Sequence, residues 1–87
     1  PTAHDNYAIE WASANGHEGV VRLLLRNDMV DPAADNNYAI RKASRNGHVG
    51  VVQLLLEDDR VDPTAHDNDA IRWASENGHE GVVRLLL

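Results

Sequence analysis

At 87 residues the chain supports one small domain, held together by roughly 4–13 kcal/mol if ordinary per-residue stability applies. Eight Lys and Arg against fourteen Asp and Glu give a formal charge of -6, too few cations to gather into a phosphate-binding face, which argues against nucleic acid as a partner. The absence of Cys removes disulfide and thiolate chemistry and fits a reducing compartment such as the cytoplasm as well as a secreted or synthetic protein, and no apolar run approaches the ~18 residues of a membrane span.

In chain order, Pro1-Thr2-Ala3-His4-Asp5 has neither an initiator Met nor a signal-peptide pattern. Asp5, and in later units Asn36 and Asp67, or the Asn that follows each, is a good N-cap for a first helix, helix A, of about nine residues running to Asn15 and its equivalents. Gly16 supplies a left-handed residue that ends it, and His17 opens a second helix, helix B, of similar length. An acidic loop from Arg26 follows, and at Asp31-Pro32 the proline forces an extended return. The pattern then starts again. Asn15-Gly16-His17-Glu18-Gly19-Val20-Val21-Arg22-Leu23-Leu24-Leu25 returns from Asn46 to Leu56 and from Asn77 to Leu87, 31 residues on each time. Residues 1–25 match residues 63–87 at 22 of 25 positions. The units are therefore 1–31, 32–62 and 63–87, as recent duplication or consensus design would leave them. Their ends lack polar capping substitutions, so the chain reads as an excerpt of a longer array.

Differences among the units have helical phase. In helix A they fall at positions 7, 10, 11 and 14 and their equivalents, one face at i, i+3, i+4 and i+7 spacing. The unchanging face carries Ala8, Ile9, Ala12 and Ser13 with their equivalents, mostly small residues that allow close helix approach and are expected to face the core. In helix B, Val51, Val52, Leu54, Leu55 and Leu56 cover most of the surface, which calls for burial from several sides.

The Gly-His-x-x-Val-Val-x-Leu-Leu-Leu block, present three times over the whole chain, resembles the ankyrin repeat. The family's Thr-Pro-Leu-His opening is replaced by Tyr7-Ala8-Ile9-Glu10, Tyr38-Ala39-Ile40-Arg41 and Asp69-Ala70-Ile71-Arg72, and the repeat is shorter than the family's usual length of about 33. The resemblance implies an all-α solenoid of three stacked helix-turn-helix repeats joined by short extended loops. A tight turn is expected in place of the family's projecting hairpin. It further implies a non-catalytic scaffold that grips a protein partner with the turns and helix A.

The candidate partner-binding residues follow from the variable stripe: Tyr7, Glu10 and Trp11 in the first unit, Tyr38, Arg41, Lys42 and Arg45 in the second, and Asp69, Arg72, Trp73 and Glu76 in the third. Trp, Tyr and Arg are the types enriched at interface hot spots. A plainer role is open, in which Trp11 and Trp73 cover seams between repeats and Lys42 lies across them. The near identity of the first and last units also suggests head-to-tail self-assembly into filaments or tubes, with Ile9, Val21 and Leu24 at one end and Ile71, Val83, Leu86 and Leu87 at the other. No cofactor or metal is expected. His17, His48 and His79 sit one helix layer apart, ~8–10 Å, too far to share an ion, and read as bonded to backbone at the turn between the helices. His4 and His66 read as solvated. Ser13, Ser44 and Ser75 read as bonded back to helical carbonyls, not as nucleophiles.

Overall fold

The computed structural model describes residues 2–87, with side chains from Asn6 onward. Among these residues are six helices and no strand: α1 (Thr2–Ala14), α2 (Glu18–Leu25), α3 (Ala34–Arg45), α4 (Val49–Leu56), α5 (Ala65–Glu76) and α6 (Glu80–Leu86). The helices alternate between two layers. The first of each pair lies beside its counterpart in the order α1, α3, α5, and the second in the order α2, α4, α6.

The stack is an all-α solenoid, as its repetition implies. Gly16, Gly47 and Gly78 end the first helix of each pair with φ of 77°, 79° and 75°, a conformation that an L side chain resists. The next residue in each unit, His17, His48 or His79, is the N-cap of the second helix. Buried Ala39, Ala43, Ala70 and Ala74 let α3 and α5 approach closely, while Ile40, Val51, Val52 and Leu55 fill the space between the layers. Each of these larger side chains contributes about 1.5–3 kcal/mol by leaving water.

Burial also shows what the stack covers. Val20 is 48% exposed whereas its equivalents Val51 and Val82 are at 0%, because a preceding layer is what buries this position. Ala8 and Leu23 are exposed for the same reason, and Ile71, Ser75 and Val83 are uncovered on the opposite side. Ile9 and Val21, read from the sequence as end-face residues, are fully buried inside the first layer; the face at that end is Ala8, Val20 and Leu23. Leu24, Ile71, Val83 and Leu86 are half-buried, and Leu87 is exposed.

The start of the first helix of each pair departs from expectation. Asn36 and Asp67 are not N-caps. The caps are Ala33 and Thr64, neither with a side-chain capping bond, and three consecutive residues, Asp35–Asn37 and again His66–Asn68, follow in the left-handed region. Only from Tyr38 and Asp69 is the backbone right-handed. A full left-handed turn is tolerable here because Asn, Asp and His visit that region more readily than other side chains. The Asp5 cap falls among side chains outside the described residues, as does His4. The left-handed turn aims Asn37 into the following loop, where its side-chain oxygen accepts the Asp62 N–H at 2.8 Å, and Asn6 does the same for Asp31 at 2.8 Å.

The loops carry tight turns on either side of residues 30–31 and 61–62, where the chain runs without a turn toward each proline. Asn27, Asp31, Asp58 and Asp62 each accept the N–H two residues on. Arg60, paired with Asp58 at 2.9 Å, donates to the Val30 carbonyl of the preceding loop at 2.8 Å. Ser13 and Ser44 are fully buried, but neither hydroxyl has a hydrogen-bond partner, contrary to the bond back to a helical carbonyl that the sequence suggests; Ser75 is exposed.

Asn37→Ala should destabilise the chain by about 2 kcal/mol, since it leaves the Asp62 N–H unpaired and puts in the left-handed region a residue that visits it less readily than Asn. Asn68→Ala, at an exposed position with the same φ of 61°, should cost only the backbone part. Urea unfolding of the two variants checks the difference.

Candidate functional site

The stripe of variable residues does not form one exposed face. Position 11 points away from the stack, and Trp11 is 70% exposed, beside exposed Tyr7. Position 10 instead enters the seam with the next repeat, leaving Glu10 only 6% exposed. Asp69 is likewise buried, in the seam between α3 and α5. Tyr38, Arg41, Lys42 and Trp73 are half-buried, and Arg45, Arg72 and Glu76 are exposed.

The two seams differ in chemistry. Between α3 and α5, Arg41 Nη1 donates to Asp69 Oδ2 at 3.1 Å, while its Nε and Nη2 donate to the carbonyls of Asn36 and Asp35 at 3.0 and 3.2 Å. Arg45 lies with its guanidinium 4.3 Å from the centre of the Trp73 ring, and Lys42 Nζ is 5.6 Å from that of Tyr38, both in cation–π range. Trp73 is thus covered from the preceding repeat, the packing role left open by its sequence, whereas exposed Trp11 covers no seam to the same degree.

Between α1 and α3 the equivalent positions hold Glu10 in place of Arg41 and Ala14 in place of Arg45. The result is a cleft of about 440 Å³ lined by Tyr7, Glu10, Trp11, Ala14, Asn15, Asp35, Tyr38 and Asn46. Burial, then a hydrogen bond and charge repulsion from Asp35, push the Glu10 carboxyl up from its ordinary 4.5 to about 7, with Arg41 pulling the other way. Glu10 Oε2 has no hydrogen-bond partner.

Asp35 and Asn46 escaped the sequence reading. The one sign of Asp35 in the sequence is that position 4 of the unit varies, from His to Asp to His. Of the turn histidines, His48 bonds across repeats and not within its own. The His48 Nε2–H donates to the Ala14 carbonyl at 3.0 Å, joined by the Asn46 amide at 2.9 Å. Among the described residues, no three His, Asp or Glu side chains are placed to hold a metal ion, and no helix is long and apolar enough to cross a membrane.

Stacked helical hairpins, joined by glycine-ended turns and presenting a variable stripe on one helix of each pair, define a helical repeat solenoid. A family model described as ankyrin repeats (3 copies) matches residues 9–87, and the chain belongs to that family. Comparison with curated proteins finds no match. Ankyrin repeats are generally protein-interaction scaffolds and typically not catalysts.

Proposed function

We propose that this chain is a non-catalytic interaction module whose protein partner lies against the stripe formed by α1, α3 and α5. The observation that carries this reading is the exposure of Tyr7, Trp11 and Arg45 on the side of the first helices where the repeats diverge. Exposed aromatic side chains cost solubility and gain by being covered. Arg72 and Glu76 extend the surface with solvated charge, while Arg41 and Asp69 act beneath it, fixing α3 to α5. Replacing Tyr38 and Arg45 together by Ala should weaken binding of an identified partner at least about tenfold, a loss of roughly 1.4 kcal/mol, with the helical circular dichroism unchanged. Unaltered affinity in a folded variant places the partner elsewhere.

A second reading, head-to-tail self-association, draws support from the matched end faces. Within the stack a Cβ on Gly16 or Gly47 would collide with the His ring of the next unit, whereas nothing lies within 4 Å of Gly78. His17, which would occupy that place in a following copy, is exposed. Exposed Ala8, Val20 and Leu23 would then meet Ile71, Val83 and Leu87 of the other copy. Sedimentation should show mass rising with concentration, and a concentration-independent monomer removes this reading.

A further inference from the structure

We propose that the cleft between α1 and α3 receives a lysine or arginine side chain of the protein partner, its cationic head against Glu10 and Asp35 and its stem against Tyr7, Trp11 and Tyr38. This rests on the interaction-module reading and names the chemistry of the contact. The first ground is Glu10 itself. A carboxylate 6% exposed, with an oxygen that no group bonds, is costly unless a partner meets it, and it lines an open cleft.

The second ground is the neighbouring seam, where the chain supplies its own cations. There Asp69 is met by Arg41 at 3.1 Å and Trp73 by Arg45 at 4.3 Å. One repeat earlier, Glu10 and Ala14 stand in place of the two arginines, and Tyr38 and Lys42 in place of Asp69 and Trp73; an acid lies beside open space, and Lys42 lies over Tyr38. Arg41 does not fill the role: three of its N–H groups are held by Asn36, Asp35 and Asp69. Among the described residues, cations lie over the rings of Tyr38 and Trp73 but none over Tyr7 or Trp11. An alkyl stem topped by a positive charge satisfies the aromatic walls and the carboxylates together.

Binding strengthens as pH rises through about 7, where Glu10 loses its proton. The groups facing Glu10 are Tyr7 on its own helix and Asp35, Tyr38 and Arg41 from α3. His48 approaches the far end of the seam from α4, at the Ala14 carbonyl, so the glutamate variant is needed to assign the pH effect.

The test uses blocked tripeptides Ala-Arg-Ala and Ala-Lys-Ala, with Ala-norleucine-Ala and calcium chloride alone as controls. Two-dimensional NMR follows the Trp11 indole N–H and the Asn15 and Asn46 amides. The basic peptides should give saturable shifts and the norleucine peptide none, with affinity rising roughly tenfold from about pH 6 to about pH 8. Glu10→Gln should remove that pH dependence and weaken binding about tenfold. Ala14→Arg, which puts a long cationic side chain at a position lining the cleft, should abolish binding and decides the matter if the glutamate variant fails to fold. Equal shifts with norleucine, shifts with calcium alone, or undiminished binding in Ala14→Arg overturn the proposal. If the peptides fail while Tyr38→Ala with Arg45→Ala still weakens an identified partner, the cleft is wrong and the interaction face stands.

Discussion

Gly16→Ala should be among the most damaging single substitutions in the chain, costing about 3–6 kcal/mol. A side chain at φ of 77° carries a left-handed penalty of about 1–2 kcal/mol. The added Cβ would also stand 2.6 Å from His48 Nδ1 and 2.8 Å from Cε1, so the ring must move. It is not free to do so, since its other nitrogen donates to the Ala14 carbonyl at 3.0 Å. Overpacking of this kind costs about 1–3 kcal/mol, and a lost hydrogen bond adds about 1 kcal/mol. The chain contains its own control. Gly78 has nearly the same φ, 75°, with nothing within 4 Å of the position a Cβ would take, so Gly78→Ala should show the backbone penalty alone. In a His48→Ala background the cost of Gly16→Ala should fall toward that of Gly78→Ala. Equal costs for the two glycines would mean that the histidine does not lock one repeat to the next.

This lock shows why much of the fold was legible in the sequence. Gly-His turns, small inner faces and apolar second helices are local, and three copies separate what stacking requires from what it leaves free. The left-handed turns were illegible for a physical reason. Asn36 and Asp67 are as suitable for capping a helix as for left-handed geometry, and a loop contact about 25 residues away, from Asn37 to the Asp62 N–H, goes with the second. The site was legible only in part. Helical phase grouped Glu10 with Trp11, but one residue of rotation, about 100°, divides a seam from solvent. Which side of the stripe the next repeat covers depends on how the layers meet, so the sequence alone groups buried Glu10 and Asp69 with the partner-binding residues. Asp35 belongs to the site through that same packing, brought beside Glu10 from the start of α3, 25 residues later.

Glu10→Gln should stabilise the chain at alkaline pH and leave it nearly unchanged near pH 5. Burial and the Asp35 carboxyl hold Glu10 at about 7 in the folded chain, against an ordinary 4.5. Because the folded value is the higher, the buried acid favours folding fully below about pH 4.5, and that advantage is lost as pH rises through about 7. The difference corresponds to about 3 kcal/mol, a large share of what a chain this size has in reserve. Wild-type stability in urea should therefore fall between about pH 5 and about pH 8, while that of Glu10→Gln should stay nearly flat. Two carboxyls held low by their partners lose their contribution in a different range. Arg60 holds Asp58 below its ordinary 3.8, and the Thr64 hydroxyl does the same for Asp62, so their contributions are present above 3.8 and are lost only as pH falls through their lowered values. Parallel profiles for wild type and Glu10→Gln would locate the alkaline loss in some other group. A flat mutant profile, together with loss of basic-peptide binding, would mean that the chain gives up stability at neutral pH to keep a carboxylate buried where a partner's cation can meet it.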